Sequence, residues 1–401
     1  MRKTQKGAIC LMAGLILIRG FAGGGINLTS SLFFAPVAQD LGIGVGTLSL
    51  YFSIMSLVAV VWLPIAGKLT ERYDARLLAV AGALLQGIPF AAFGLQSNVW
   101  GWYLLSVPHA MGTGLLVNLL GPILINRYFT RNTGLMLGLQ TAFSGAFAAV
   151  FQPLTSGIIE KDGWRTGYVT VGLVCTCASI IAALTLLGNR PAETAAQGPA
   201  RDAGGEIQVP EKTAVRSPSF YALLIFMTAV TGAAVFLQHV PTYGGLQGFS
   251  LGQVGLAMSL SSLGSGLGAI GIGIVSDRMG AIKTCFLILT LWVLGVLAFL
   301  FCAGNLAVFS IGAFLNGVAV SGVGVIVAIL TRLFYGSRDY GKIFAKVSMG
   351  SPLASIVLIP AYGFVYDATG SYFWVLIFLL ALLGIAIGSI GFGWRNRQKG
   401  K

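Results

Sequence analysis

The 401-residue sequence predicts an all-α membrane protein of twelve transmembrane helices in two pseudo-symmetric six-helix halves. Three observations predict it. Hydrophobic residues make up 56% of the chain and charged residues only 9%, whereas a soluble chain carries about a quarter charged residues. Twelve apolar runs reach the roughly 20 residues a helix needs to cross a bilayer. Finally, two similar polar hairpins, Gly67-Lys-Leu-Thr-Glu-Arg-Tyr-Asp-Ala-Arg76 and Gly273-Ile-Val-Ser-Asp-Arg-Met-Gly-Ala-Ile-Lys283, begin 206 positions apart. Each follows one long apolar run and precedes another, as expected of a chain built from two related halves.

The first run, 8–36, follows Arg2, Lys3 and Lys6. It continues too far for a signal peptide, and no small-residue cleavage site is followed by a soluble domain, so it reads as helix 1. Helices 2 to 6 are expected at 47–67, 76–96, 100–126, 132–159 and 166–188. The stretch from Gly188 to Pro218 holds four of the twelve acidic residues, with Pro and Gly-Gly, and reads as a flexible cytoplasmic linker. The halves are therefore expected at 1–188 and 218–401, joined by 189–217. Helices 7 to 12 are expected at 218–241, 251–275, 282–303, 305–331, 340–365 and 371–394. The duplication extends beyond the hairpins. Arg127-Tyr-Phe129 closes helix 4 as Arg332-Leu-Phe334 closes helix 10, and Asp162 and Asp367 close helices 5 and 11. Glycine is dense throughout, most of all in helix 8 (Gly264, Gly266, Gly268, Gly271, Gly273), where small residues let helices pack closely in lipid.

The net charge of +13 is topology, not a polyanion site. Of 25 Lys and Arg, 21 fall at the termini or in alternate connections, which by the positive-inside rule puts both termini in the cytoplasm of a multi-pass protein of a bacterial plasma membrane. Nucleic acid is excluded as a partner; the lipid bilayer is expected. The five cysteines all lie in apolar segments, and no metal or cofactor set is spaced along the chain.

The hairpins resemble the loops between helices 2 and 3, and 8 and 9, of the major facilitator superfamily, whose pattern is roughly G-x-L-x-D-R-x-G-x-R/K. The second copy keeps Gly273, Asp277, Arg278 and Gly280; the first keeps Gly67, Leu69 and Arg72, with Glu71 for the acid and Asp74 for the second glycine. The resemblance implies a carrier working by alternating access. Glu71, Arg72, Asp277 and Arg278 are then expected to form a cytoplasmic clasp that exists in one conformation and breaks in the other.

Residues 128–145 look like the helix 4–5 segment of monocarboxylate transporters, matching at Tyr128, Phe129, Arg131, Gly138 and Ala142 and departing at Asn132, Thr133 and Met136. Residues 238–250 resemble the end of helix 7 in bacterial relatives of that family and of oxalate/formate exchangers, through His239, Pro241, Gly248 and Ser250. Those relatives typically place an arginine in helix 8 eight residues before the hairpin aspartate. Here that position is Ala269, and Asn27 stands where relatives often have an arginine in helix 1.

An ionisable residue inside the bilayer costs about 2.5–3.5 kcal/mol on insertion scales, so each one is a functional candidate. Arg19 lies near mid-membrane, with Gly23 and Asn27 following on roughly the same face. Lys346 lies one to two turns inside helix 11, where relatives that carry dicarboxylates use a lysine; its alternative is snorkelling to the cytoplasmic face. Asn118, Gln140, Ser144 and Asn316 are uncharged polar groups at membrane depth, suited to orienting a substrate or to bonding between helices. His109, His239 and Tyr243 are candidates for proton linkage or an outer gate, or for a packed histidine and interfacial anchors.

No Asp or Glu lies in the middle of a predicted helix, so two buried cations without an internal counter-ion favour an anionic substrate. The expectation is a secondary carrier, by symport or antiport, for a small mono- or dicarboxylate, active as a monomer, with a coupling proton on His109, His239 or the substrate itself. The alternatives are a carrier of a neutral or zwitterionic solute, and a receptor built on a carrier fold. No nucleophile–base pair, metal cluster or phosphate loop lies at one depth, which argues against an enzyme.

Overall fold

The structure is a computed structural model that describes residues 2–128, 133–187, 209–336 and 339–396. Among these residues the regular structure is helical, with no strand. Eleven helices among the described residues are long and apolar enough to cross a membrane. In chain order they are α1 (Ile9–Leu41), α2 (Val45–Arg72), α3 (Ala75–Phe93), α4 (Val99–Ile125), Leu135–Leu186, α7 (Pro218–Gln238), α8 (Leu251–Ser276), α9 (Ala281–Leu300), α10 (Leu306–Tyr335), α11 (Tyr340–Thr369) and α12 (Phe373–Arg395). The fifth is two spans merged across Gly163, whose φ of +84° turns the chain in one residue. It divides into α5 (133–162) and α6 (164–186), which accords with twelve helices. The connection expected between 159 and 166 thus shrinks to a single glycine.

Local chemistry explains the helix ends. Ser217 caps α7 with Pro218 just inside, Ser250 and Gln253 form a capping box at α8, and Asn305 caps α10. The two hairpins turn differently. Asp74 accepts Arg76 N at 2.7 Å and caps α3 with ordinary extended backbone, whereas its counterpart Gly280 turns the same corner at φ +83°. One copy uses a capping side chain, the other a residue without a Cβ.

Several spans are broken inside. Residues Gly20–Asn27 of α1 and Gly114–Leu119 of α4 are π-helical, and α11 is interrupted at Met349 between Tyr340–Ser348 and Gly350–Thr369. Such breaks free backbone carbonyls, which in a membrane need partners. Around the bundle, large apolar side chains such as Leu57, Leu104, Ile181 and Phe392 are exposed, as a lipid-facing surface requires.

The two halves meet along α2 against α11 and α5 against α8. Small residues line both seams. On α8, Gly252, Gly255, Ser259, Ser262 and Gly266 recur every three or four residues and lie against α5, where Ser259 Oγ donates to Ala149 O (2.8 Å) and Ser262 Oγ to Gln152 Oε1 (3.0 Å). On α2, Gly46 packs on Gly363 and Phe364, and Ser53 Oγ donates to Ile356 O (2.6 Å). Toward the hairpin end, Gly67, Gly138, Gly271 and Gly273 each have open space where a Cβ would stand. The hydrogen bonds between the halves run from the end remote from the hairpins to about the middle of the helices. Among the described residues none joins them at the hairpin end, so the seams are shut at the first end and open toward the second.

The last part of the expected linker is docked. Val209 N bonds Tyr335 O (3.1 Å), the short helix Glu211–Val215 follows, and Ser217 Oγ meets Tyr335 Oη (2.8 Å). Val209 and Ala214 bury into the core of the second half, because this segment carries apolar residues that a solvated linker would lack.

Candidate functional site

Arg19 ends the regular helix of α1, immediately before the π segment Gly20–Asn27. Its Nη1 donates to Val117 O at 2.5 Å, within the π segment of α4. Its buried Nε has no hydrogen-bond partner. The arginine is thus held by a carbonyl that a broken helix makes available, with donor capacity left over. The glycines around it have a steric reason. A Cβ at Gly20 would meet the Phe147 ring at 2.8 Å, and one at Gly23 the Ser144 hydroxyl at 2.8 Å. They let α1 lie directly on α5.

One turn and more along α1, Asn27 joins a network that the sequence did not reveal. Gln86 of α3 donates from Nε2 to Ala22 O and to Asn27 Oδ1, both at 3.0 Å, and Thr113 Oγ1 reaches Asn27 Oδ1 at 3.5 Å. His109 Nδ1 donates to Gln86 O at 2.8 Å, which assigns the proton to that nitrogen. With Asn27 Oδ1 occupied twice, its partly exposed amide nitrogen has no protein partner among the described residues. His109 also packs between Phe90 and Phe93.

The other candidates disperse. Ser144 Oγ bonds Arg19 O (3.4 Å), beside the arginine. Gln140 donates to Leu15 O (3.2 Å), leaves Oε1 buried without a partner, and presses on Gly121 of α4. Asn118 is exposed, on a different face from buried His109. Asn316 of α10 is fully buried, and neither atom of its amide has a partner. Lys346, on the short first piece of α11, pairs with Glu211 Oε1 at 2.7 Å, with about half of its side chain exposed. The structure thus sets Ser144 beside Arg19 and, farther along α1, joins Asn27 with Gln86, Thr113 and His109, while Lys346 stands apart beside the docked end of the linker.

His239 is fully buried, with Nε2 on Ile359 O (2.8 Å) and Nδ1 on the Tyr372 hydroxyl (3.0 Å). Since the carbonyl accepts only, Nε2 carries the proton and Nδ1 accepts from Tyr372. Tyr243 donates to Phe299 O at 2.6 Å. Both knit the end of α7 to α9, α11 and the segment before α12. At the hairpins, Glu71, Arg72 and Arg278 are exposed and none of them is in an ion pair among the described residues; the side chain of Asp277 lies outside those residues. Phe129, Arg131 and Asn132 also lie outside them.

Sequence reasoning missed Gln86, Thr113, Gln152 and Ser262. Gln86 and Gln152 carried a readable signal, an amide in an apolar run; Thr113 and Ser262 did not, since hydroxyls abound in helices and bond their own backbone.

A family model, Major Facilitator Superfamily, matches residues 15–252 and 247–401. The oxalate:formate antiporter of Oxalobacter formigenes is 22% identical over 266 residues, covering 65% of this chain and 61% of the antiporter. Monocarboxylate transporter 3 of Rattus norvegicus is 28% identical over 176 residues, covering 43% of this chain and 36% of that transporter. The chain thus matches less than two thirds of the length of each of these relatives. In fold it is similar to the crystal structure of a bacterial homologue of the human lysosomal transporter Spinster, inward-facing and unoccupied, with a TM-score of 0.71, 12% identity and 98% of each chain covered.

Proposed function

Because the chain belongs to the major facilitator superfamily, we propose that it is a secondary carrier moving a small organic anion, a mono- or dicarboxylate, by alternating access. One observation carries the substrate class. Arg19 is a guanidinium within a membrane span whose Nε is buried and unpartnered. Leaving a charged donor unmet is costly, and a carboxylate accepts two parallel bonds from this group. Asn27, with its oxygen taken by Gln86 and Thr113, offers a second donor along the same segment. The relatedness to an oxalate:formate antiporter and to monocarboxylate transporters supports the same class.

The positive-inside rule assigns the hairpin end to the cytoplasm of the cell membrane, so a bundle parted there is inward-facing. Carriers of this architecture bind near the midplane between halves and rock around that site. Arg19, Asn27 and Ser144 are the first-half residues in this reading. Asn118, Gln140, Asn316 and Lys346 remain candidates to join them, and Glu71, Arg72, Asp277 and Arg278 a clasp for the opposite conformation. His109, His239 and Tyr243 remain candidates for proton linkage or gating. The carrier acts as a monomer.

A second reading, a neutral or zwitterionic solute, is favoured by Ala269. This residue continues the small-residue stripe of α8 that faces α5, at the position where anion-carrying relatives hold an arginine. Counterflow in proteoliposomes against labelled monocarboxylates, dicarboxylates, amino acids and sugars separates the two. Exchange of an acid that Arg19→Gln abolishes supports the anion; exchange confined to sugars or amino acids overturns it.

A further inference from the structure

The closed end of the bundle holds two carboxylates outside the substrate site. Asp367, at the end of α11, accepts Val45 N and Gly46 N at 2.8 Å each. These are free amides of the first turn of α2, which belongs to the other half. Glu160, near the end of α5, accepts Gly252 N at 2.8 Å, in the first turn of α8, again across the interface. A helix N-terminus has unsatisfied N–H groups and a positive dipole end, so an anion there is favourable without any lysine or arginine.

The two contacts are copies of one another. Gly46 and Gly252 stand 206 positions apart, the spacing of the hairpin glycines, and Glu160 and Asp367 stand 207 apart. About two turns deeper the same relation repeats. Ser53 Oγ donates to Ile356 O (2.6 Å) and Ser259 Oγ to Ala149 O (2.8 Å). Ser53 and Ser259 are again 206 apart, and Ala149 and Ile356 are 207 apart. Both interfaces therefore keep one carboxylate on a helix N-terminus and one serine on a carbonyl, although the first hairpin has replaced its aspartate and second glycine. Glycine at the receiving turn makes room: a Cβ at Gly46 would meet Phe364 N at 2.6 Å, and one at Gly44 would overlap the Asp367 carboxylate. Asp162 closes α5 and Asp367 stands near the end of α11, but Asp162 is exposed with no hydrogen bond or ion pair among the described residues, and Glu160 makes the contact equivalent to that of Asp367.

We propose that Asp367 and Glu160 are paired latches that hold this end of the carrier shut, each on the N-terminus of a helix from the opposite half. Both release when the end opens, whereupon water takes the freed amides and the carboxylates. The proposal goes beyond the substrate reading and does not depend on what is carried.

Two reporters read it in the full-length protein with its native cysteines replaced, in lipid nanodiscs with an impermeant maleimide. Ser49→Cys sits buried in α2 between Gly46 and Ser53, on the closed seam; Gly67→Cys sits on α2 at the parted end. For an exposed anion at a helix N-terminus, Asp367→Asn and Glu160→Gln are each expected to raise labelling at Ser49→Cys about 2- to 5-fold and to slow it at Gly67→Cys. The double variant should exceed either alone, and Asp162→Asn should match the parent. Asp367→Glu, which keeps the charge, is expected to stay nearer the parent than Asp367→Asn. Monodisperse elution certifies folding of each variant. Unchanged labelling in the folded double variant overturns the proposal, as does an equal rise in Asp162→Asn. Because no substrate is present, this test fails or succeeds separately from the counterflow experiment.

Discussion

Arg19 Nη1 stands 2.5 Å from Val117 O, so the guanidinium of α1 is anchored on the π-helical break of α4. The anchor satisfies one donor and leaves a buried Nε without a partner, so the guanidinium keeps donor capacity that the proposed anion would use. Arg19→Gln is expected to lower carboxylate counterflow by about 10- to 100-fold, the loss of a charge-assisted bond of roughly 1.5–3 kcal/mol. Arg19→Lys keeps the charge without the fork and should recover only part of that rate. Equal activity in all three proteins would remove Arg19 from the site.

Lys346 and Glu211 form a partly exposed ion pair, 2.7 Å apart, between α11 and the docked end of the linker. Such pairs contribute about 0–1 kcal/mol, screened by salt. Glu211→Gln should therefore leave the melting temperature within about two degrees and leave transport intact. Lys346→Gln separates two roles. A snorkelling lysine gives the same small effect, whereas a substrate anchor gives a rise in KM that Glu211→Gln does not share.

Asn316 is buried with neither amide atom bonded, an expensive arrangement for packing alone. Asn316→Leu, similar in volume and apolar, should leave thermal stability unchanged or raise it. If the amide serves the substrate, counterflow falls in the same variant. A fall in melting temperature with transport retained would show that the amide is structural.

Glycine at the packed seams and glycine at the parted end should respond differently. At Gly317 a Cβ would overlap the carbonyl of Ser261, so Gly317→Ala must push α10 from α8 and is expected to cost about 1–3 kcal/mol. Gly273 has open space, and Gly273→Ala in the same helix system should be neutral or slightly stabilising. Thermal unfolding of the two variants side by side checks this.

The architecture was legible because its signals are long or repeated. Twelve apolar runs cannot be hidden in a chain that is 9% charged, and two hairpins in register reveal the duplication. The candidate site was legible only in part. Arg19 declares itself, since a cation inside an apolar run has few explanations. Asn27 was readable as polar, but Gln86 and Thr113 join it from α3 and α4. Lys346 shows the converse: the sequence puts it inside helix 11, yet the break at Met349 and the docked helix Glu211–Val215 give it an acid to pair with.

By itself, the sequence determined the number of spans, the two halves and the cation at the heart of α1, because burial in lipid depends on composition and period, which are local. The tertiary structure decided which end is closed and what closes it. Asp367 and Val45 are 322 positions apart, and Glu160 and Gly252 are 92 apart. A carboxylate at the end of one helix and a bare amide at the start of another are each unremarkable in sequence; they become a latch only where packing brings the two ends together.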